Sequence, residues 1–418
     1  MPFTITVFGL GFVGLTTALG FADKGNTVYG CDIDKTRTGL LKSGEIPFAE
    51  PGLPNALKRN LESNFKVTGE PISAALKSDF IFICVGTPNS NTGKADLSYI
   101  KSVLDSIAPV LSDGKFRAVV IKSTVPPSTT SEVIIPYLTS KGLNVGGSFG
   151  VANNPEFLRE GKCWDDFTNP DRIVCGVCDR RSAEMLGLLY STFDAPFCEV
   201  SLNTGEFIKY LSNTLLATMI SYSNEMSLIA DAIGGIEVKK AFEVLHMDRR
   251  WGGCNMTSYV YPGCGYGGYC LPKDTQALYA KSCEKGFEPE LLHNVIITNS
   301  NMPKFIEEKI ISNAKPSDTI GILGLSFKPE SDDVRDSASA KIIALLQKDG
   351  FKNIAAYDPV ANTLFDRKYE FENIKYCSCA DELCKISDIL VIATAWSEFR
   401  NINKKFPDKI FIDARYYL

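Results

Sequence analysis

The first fourteen residues constrain the fold more than any other part of the chain. A predicted strand, Thr4–Gly9, leads into Gly9-Leu10-Gly11-Phe12-Val13-Gly14, a G-x-G-x-x-G spacing that opens a helical pattern. Gly9 permits a tight turn, Gly11 lets the backbone approach a pyrophosphate, and Gly14 lets the helix pack on the strand. Free N–H groups at the helix N-terminus favour anions. The segment therefore predicts a dinucleotide site.

A carboxylate at the end of the second predicted strand, Thr27–Asp32, indicates which dinucleotide binds. Asp32 can accept a hydrogen bond from the ribose 2′-hydroxyl of NAD and would repel the 2′-phosphate of NADP. Arg37 lies five residues further on and offers a phosphate partner. The sequence favours NAD, and Arg37 leaves NADP as the alternative.

Apolar runs alternate with helical patterns at both ends of the chain, which predicts an α/β fold with doubly wound parallel sheets. A long helical pattern without proline, Thr204–Ile233, ends at Gly234-Gly235 and separates the two regions. We expect a first domain over residues 1–200, a central helical domain over 201–300 and a smaller α/β domain over 301–418. The other predicted strands are Phe80–Val85, Ala118–Ser123, Phe149–Asn153, Arg172–Val177, Thr319–Gly324, Ile354–Asp358, Ile389–Ala393 and Ile410–Asp413.

Composition excludes several classes of function. The net charge of −5 argues against a nucleic-acid partner, and no apolar run is long enough to span a membrane. Thirteen cysteines without a disulfide framework suit a reducing cytoplasm. Cys175-x-x-Cys178 and Cys377-x-Cys379 lack a matching second pair and histidines, so no metal site is expected. With only two histidines, acid–base chemistry falls to Asp, Glu, Lys or water.

The stretch from Gly263 to Asp274 carries a candidate nucleophile. Cys270 follows clustered glycines, which let the backbone approach a ligand, and precedes Lys273 and Asp274. A nearby ammonium favours the nucleophilic thiolate. A thiol in a dehydrogenase suggests oxidation beyond the aldehyde, through a thioester that water hydrolyses. The other twelve cysteines are interpreted as small buried apolar residues.

Lys209 and Asn213 lie one turn apart on the long helix and therefore share a face. Such a pair could hydrogen-bond an oxyanion. The spacing alone is equally compatible with a solvated lysine.

These segments together resemble the nucleotide-sugar 6-dehydrogenases, the UDP-glucose/GDP-mannose dehydrogenase family, over nearly the whole chain. The resemblance also runs through Val85–Pro88, Lys122–Pro126, Asn154–Gly161 and Phe327-Lys328. The segment Gly265–Asp274 is most similar to bacterial members that act on UDP-glucose. The resemblance implies two Rossmann-like domains joined by a long central helix, a homodimer, NAD in the N-terminal domain and the UDP portion in the C-terminal domain.

The resemblance also implies residue roles. Cys270 matches the nucleophile, Lys209 and Asn213 the oxyanion pair, Asp274 and Thr124 the holders of a water, and Glu156 a carboxylate that assists thioester hydrolysis. The resemblance leaves open whether Glu156 or Asp274 is the base in each half-reaction. NAD contacts are implied for the turn Gly9–Gly14 with Phe12 and Val13, and for Asp32, Arg37, Thr87, Thr124, Glu160, Lys273 and Arg335. Nucleotide-sugar contacts are implied for Glu156, Phe157, Leu158, Lys209, Asn213, Tyr259, Tyr266, Gly267 and Lys328, and for Arg250 acting across the dimer interface.

Val260, Tyr261 and Gly263 depart from the family pattern in a loop that clasps the sugar. GDP-mannose or a UDP-N-acetylhexosamine therefore remain alternative substrates. A two-electron hydroxyacid dehydrogenase of the 6-phosphogluconate type is a second rival, but it needs no cysteine. A non-catalytic NAD sensor is a third, and it has no use for a nucleophile.

Overall fold

The structure is a computed structural model that describes residues 2–90, 93–248 and 259–418. The chain divides into two compact units, Met1–Leu211 and Ser212–Leu418. Each unit carries its own sheet of mainly parallel strands, which confirms the predicted α/β class.

Eight strands form the sheet of the first unit: β1 (Thr4–Phe8), β2 (Thr27–Cys31), β3 (Phe65–Val67), β4 (Phe80–Ile83), β5 (Ala118–Ile121), β6 (Gly150–Asn153), β7 (Ile173–Val177) and β8 (Phe197–Ser201). Their order is β3-β2-β1-β4-β5-β6-β7-β8, and only the β6–β7 pair is antiparallel. The order reverses between β1 and β4, so the carboxyl ends of these two strands border a crevice. Doubly wound sheets bind ligands at this kind of position.

Both faces of this sheet are covered. On β4, Phe80 and Phe82 join one buried cluster, whereas Ile81 and Ile83 join another. Successive side chains of a strand point to opposite faces, so an uninterrupted apolar run needs a core on each side. The helices that supply these layers are α1 (Phe12–Asp23), α2 (Lys35–Lys42), α3 (Leu53–Asn60), α4 (Pro71–Lys77), α5 (Ser98–Ile107), α6 (Ile135–Ser140), α7 (Cys163–Thr168) and α8 (Arg180–Tyr190).

The predicted long helix is present as α9, Leu202–Ile233. It begins two residues before the predicted start and stops at Gly234, whose φ of +78° suits glycine and breaks the helix. Although α9 spans 32 residues, no helix in the described ranges is both long and apolar enough to cross a membrane.

The second unit contains a five-stranded parallel sheet, built from β9 (Ile320–Leu323), β10 (Ile354–Tyr357), β11 (Ile374–Tyr376), β12 (Ile389–Ile392) and β13 (Ile410–Asp413). Their order is β11-β10-β9-β12-β13, which again reverses beside the first strand. The helices are α10 (Val238–His246), α11 (Cys270–Glu284), α12 (Glu290–Ile311), α13 (Ala338–Lys348), α14 (Asn362–Tyr369), α15 (Ala380–Ile386) and α16 (Ile402–Lys405).

The first strand of each sheet leads into a similar glycine turn, but the carboxylate beside that turn has different partners in the two units. Thr4–Gly11 and Thr319–Ser326 share a strand, a glycine turn and a carboxylate from the next strand, Asp32 or Asp358. In the second unit, Asp358 accepts hydrogen bonds from four backbone N–H groups, from the Ser326 hydroxyl and from the Trp396 indole. These donors occupy both oxygens of Asp358. The carboxylate is therefore not available to accept a hydrogen bond from a dinucleotide ribose.

Candidate active site

The glycine turn after β1 has the geometry of a dinucleotide site. Gly9 has a φ of +88°, and its N–H donates to the Cys31 carbonyl at 2.8 Å. Leu10 N–H donates to Asp32 Oδ2 at 2.7 Å, which ties the turn to the end of β2. Helix α1 begins at Phe12 directly after the turn. Its first N–H groups have no helical acceptors and can meet a diphosphate.

The three glycines of the turn face different surroundings. A Cβ at Gly14 would lie 1.8 Å from the Gly9 carbonyl oxygen, so this position packs helix against strand. A Cβ at Gly11 would meet nothing within 4 Å. The open space at Gly11 lets a ligand approach the backbone closely, and the residues present therefore fit the dinucleotide that the sequence predicts.

The charges beside this turn favour NAD. The Arg37 guanidinium lies 2.8 Å from Asp32 Oδ2 and 3.7 Å from Asp34 Oδ2. Burial alone would raise the pKa of Asp32, but N–H donors from Asp34 and Leu10, together with Arg37, hold that pKa below its usual value. Two carboxylates outweigh one guanidinium here, so the site would repel a 2′-phosphate. Arg37 therefore serves as the ion-pair partner of Asp32 and not as the phosphate partner of an NADP site.

Two threonines predicted to contact NAD are joined to each other. Thr87 follows β4, Thr124 follows β5, and the Thr87 hydroxyl donates to the Thr124 carbonyl at 2.7 Å. Because β4 and β5 are parallel neighbours, their carboxyl ends meet at one edge of the sheet. The hydrogen bond fixes the two loops beside the crevice.

Glu156 and Lys209 form a buried ion pair within the first unit. Glu156 Oε1 lies 2.8 Å from Lys209 Nζ, and Oε2 accepts from Leu158 N–H at 2.6 Å. Burial would raise the pKa of Glu156, but the Lys209 ammonium and the Leu158 N–H lower it below the usual value. The Lys209 ammonium also lies 5.8 Å from the centroid of the Phe157 ring. Glu156 is thus a carboxylate in the ionised form that a base requires.

The candidate nucleophile is the first residue of α11. Cys270 is half-buried, and the N-terminus of a 15-residue helix stabilises negative charge at this position. One turn later, Asp274 is buried and accepts from Asn213 Nδ2 at 2.6 Å and from the Lys273 ammonium at 2.5 Å. The structure therefore joins the predicted residue Asn213, on α9, to Lys273 and Asp274 on α11, the helix that carries Cys270, in one polar cluster.

Arg335 and Lys273 both contact the ring of Tyr269, which precedes the cysteine. Arg335 lies 4.5 Å from the ring centroid and Lys273 lies 5.5 Å away. Arg335 also pairs with Asp333, and its carbonyl accepts from Gly268 N–H at 2.8 Å. These contacts pack the glycine loop against the segment that follows β9.

The remaining predicted site residues vary in environment. Tyr266 is buried, whereas Phe157, Leu158, Glu160, Tyr259, Gly267 and Lys328 are partly buried. Phe12 and Val13, both partly buried, form the start of α1. Arg250 lies outside the described residues, so its predicted role has no structural counterpart here.

Asn299 on α12 is a site residue that the sequence analysis missed. Its Oδ1 accepts from Tyr266 N–H at 2.7 Å and its Nδ2 donates to the Tyr266 carbonyl at 3.0 Å. The side chain thereby fixes both backbone groups of a residue in the glycine loop. The available signal is an amide on the buried face of α12, between Val295 and Met302, because a buried polar group needs partners.

Glu206 on α9 is a second missed residue, and it holds the loop that follows Thr124. Its Oε1 accepts from the N–H and the hydroxyl of Thr130 at 2.8 and 2.6 Å. The side chain is buried, and burial raises the pKa of Glu206 to about 7 in spite of these hydrogen bonds.

The raised pKa of Glu206 predicts a pH-dependent stability. The folded state favours the protonated carboxyl, so this group's contribution is complete below about pH 4.5 and is lost as the pH rises through about 7. Relative to Glu206→Gln, which does not titrate, the wild-type free energy of unfolding should fall by about 2–3 kcal/mol between pH 5 and 8.5. Urea unfolding of both proteins across this range measures the difference. A constant difference would contradict the assigned environment.

Three family models match successive parts of the chain. The UDP-glucose/GDP-mannose dehydrogenase family, NAD binding domain, matches residues 3–194. The central domain of the same family matches residues 203–301, and its UDP binding domain matches residues 321–418.

Individual relatives cover almost the entire chain. The UDP-glucose 6-dehydrogenase TuaD of Bacillus subtilis is 36% identical over 98% of this chain and 88% of its own length. The GDP-mannose 6-dehydrogenase of Pseudomonas savastanoi is 32% identical over 97% of this chain and 94% of its own length. A solved UDP-glucose dehydrogenase from Pyrobaculum islandicum superposes with a TM-score of 0.91 at 33% identity, covering 100% of this chain and 95% of that one. The chain therefore belongs to the UDP-glucose/GDP-mannose dehydrogenase family and is an NAD-dependent oxidoreductase of nucleotide sugars.

Proposed function

We propose that this enzyme oxidises the C6 alcohol of UDP-glucose to the carboxylate of UDP-glucuronate, with two NAD⁺ consumed per sugar. The observation that carries the proposal is Cys270 at the start of α11, one turn before the buried cluster of Lys273, Asp274 and Asn213. A two-electron alcohol dehydrogenase needs no nucleophile. A cysteine in this setting supports a second oxidation through a covalent adduct.

The residues divide the chemistry as follows. Bound NAD⁺ supplies the hydride acceptor for both oxidations. Asp274 and Thr124 hold the water that takes the C6 hydroxyl proton. Cys270 then adds to the aldehyde, and Lys209 with Asn213 stabilises the resulting oxyanion. Oxidation of this thiohemiacetal gives a thioester, which water hydrolyses with Glu156 as the base and Cys270 as the leaving group.

The substrate assignment rests on the names of similar proteins and on the similarity of Gly265–Asp274 to members that act on UDP-glucose. Relatives named for UDP-glucose include the Bacillus subtilis protein, whereas the Pseudomonas savastanoi relative is named for GDP-mannose. Initial rates of NADH formation with UDP-glucose, GDP-mannose and UDP-N-acetylglucosamine separate the candidates. We expect kcat/KM for UDP-glucose to exceed the others by at least about 100-fold. A higher kcat/KM for either rival nucleotide sugar would leave the proposed chemistry intact but change the substrate assignment.

A homodimer through α9 is the assembly we propose. Leu215, Tyr222 and Ile229 recur every seven residues, so they share a helix face, and each is about half exposed. An apolar stripe of this kind favours pairing with a second helix. The resemblance to the family assigns Arg250, which lies outside the described residues, to the partner's sugar site in such a dimer. Sedimentation at micromolar concentration should give twice the chain mass, and a Tyr222→Glu variant should give the mass of one chain.

We also assign the enzyme to the cytoplasm. All twelve cysteines in the described ranges are free thiols, which fits a reducing compartment. Fractionation of cells that express the tagged protein tests this assignment, and recovery in a secreted fraction would contradict it.

A further inference from the structure

Lys122 is a buried cation whose role the mechanism above does not include. It follows β5, is 4% exposed, and makes no ion pair within 4.0 Å to any described residue. Its ammonium donates to Asn154 Oδ1 at 2.8 Å and lies 5.9 Å from the centroid of the Phe167 ring. A buried ammonium without a directly bonded carboxylate costs free energy. Such a residue calls for a functional explanation.

Asn154, the partner of Lys122, has a fixed side chain. Its Oδ1 also accepts from the Tyr190 hydroxyl, and its Nδ2 donates to the Val174 carbonyl at 2.8 Å. The amide therefore joins α8 and β7 to the loop after β5. It also lies two residues before Glu156, with only Pro155 between them. Lys122 thus fixes the end of the segment that presents the Glu156 carboxylate.

Lys122 also acts on Glu156 through its charge. The principal cation beside Glu156 is Lys209, at 2.8 Å, and the Lys122 ammonium adds a further lowering of the pKa of Glu156. In turn, burial lowers the pKa of Lys122, whereas the Cys84 thiol, Glu156 and the Cys175 thiol raise it, and Lys209 lowers it further. The carboxylate therefore has two cations, Lys209 paired with it directly and Lys122 hydrogen-bonded to the nearby Asn154 amide.

Lys209 and Lys122 have different roles in the proposed reaction. In the proposed function, on which this inference rests, Lys209 donates to the oxyanion of the substrate. An ammonium shared with a second anion neutralises Glu156 less well, and a buried carboxylate without a counter-charge takes up a proton. Protonated Glu156 cannot act as the base for thioester hydrolysis.

We propose that Lys122 is a positioning residue that holds the Asn154–Glu156 segment in place and keeps Glu156 ionised while Lys209 engages the substrate. Lys122 touches neither the substrate nor the reacting atoms. It acts through its hydrogen bond to Asn154 and through its positive charge.

The test compares the pH profile of kcat for wild type, Lys122→Met and Lys122→Gln. Both variants remove the charge, and the glutamine retains a hydrogen-bond donor. The Tyr190 hydroxyl still donates to Asn154 in each variant, and among the described residues Lys122 has no directly bonded carboxylate that its removal would leave buried and unpaired. Lys115→Met is the matched control, because Lys115 precedes the same strand and pairs with the distant Asp79.

The expected result is an acid limb of kcat shifted upward by about one pH unit or more in both Lys122 variants, with unchanged NAD⁺ affinity. The Lys115 control should keep the wild-type limb. A uniform loss of rate without a shifted limb would overturn the charge role of Lys122. Glu156→Gln, measured alongside, should abolish the acid limb. If it leaves that limb in place, the assignment of Glu156 in the proposed mechanism fails, separately from the inference about Lys122.

Discussion

Replacing Cys270 with serine is expected to lower steady-state NADH formation by about 10³-fold or more while leaving the Kd for the nucleotide sugar within a few-fold of wild type. Serine lacks a nucleophile as reactive as a thiolate, so the second oxidation has no covalent route. The first oxidation needs no covalent bond, so the variant should still form some enzyme-bound aldehyde. Single-turnover NADH formation with excess enzyme separates the two steps.

The control is Cys283→Ser on the same helix. Cys283 is exposed on α11, outside the cluster of Lys273 and Asp274, so its loss should leave turnover unchanged. Steady-state turnover near the wild-type rate from Cys270→Ser would exclude the thioester route, and the enzyme would then hydrate and oxidise its aldehyde without a nucleophile.

Gly14→Ala should abolish NAD⁺ binding and destabilise the first unit by several kcal/mol. The added Cβ would lie 1.8 Å from the Gly9 carbonyl oxygen and 3.0 Å from Cys84 Cβ, so α1 must move away from β1. The helix N-terminus and the glycine turn would then no longer face the diphosphate together. Overpacking a tight contact costs about 1–3 kcal/mol and sometimes more.

Two other glycines provide matched controls. Gly11→Ala adds a Cβ into open space, so it should retain wild-type stability while weakening NAD⁺ binding about tenfold or more, because the methyl group occupies the ligand's side of the turn. Gly39→Ala, on α2, also meets nothing, so it should leave NAD⁺ binding unchanged and raise stability by about 0.5–1 kcal/mol, because alanine is the better helix former. Thermal unfolding and NAD⁺ titration of the three variants measure both quantities. Equal stability of Gly14→Ala and Gly11→Ala would contradict the packing described.

The sequence predicts the central strands well because both of their faces are buried. An apolar run such as Phe80–Ile83 is unambiguous, since each residue belongs to one of two cores. The missed strands are β3, β8 and β11, which are all at the edges of sheets. Edge strands are short or partly exposed, so their sequences lack a continuous apolar run. An edge strand is defined by its hydrogen bonds to one neighbouring strand, and the composition of the segment does not encode these bonds.

The candidate site shows a similar division. Motifs locate Cys270 and the glycine turn because the chemistry requires particular residue types at fixed spacing. By contrast, the partners of Lys122 and Glu206 are Asn154 and Thr130, 32 and 76 residues away along the chain. A buried polar residue can be recognised as needing a partner, but the fold chooses which one it receives.

The most direct test of the four-electron account is the amount of NADH formed per molecule of limiting UDP-glucose. Run to completion with excess NAD⁺, the reaction should yield two NADH per sugar, together with one equivalent of a carboxylate product. One NADH per sugar, with the aldehyde released, would contradict the account, because Cys270 would then have no part in the reaction.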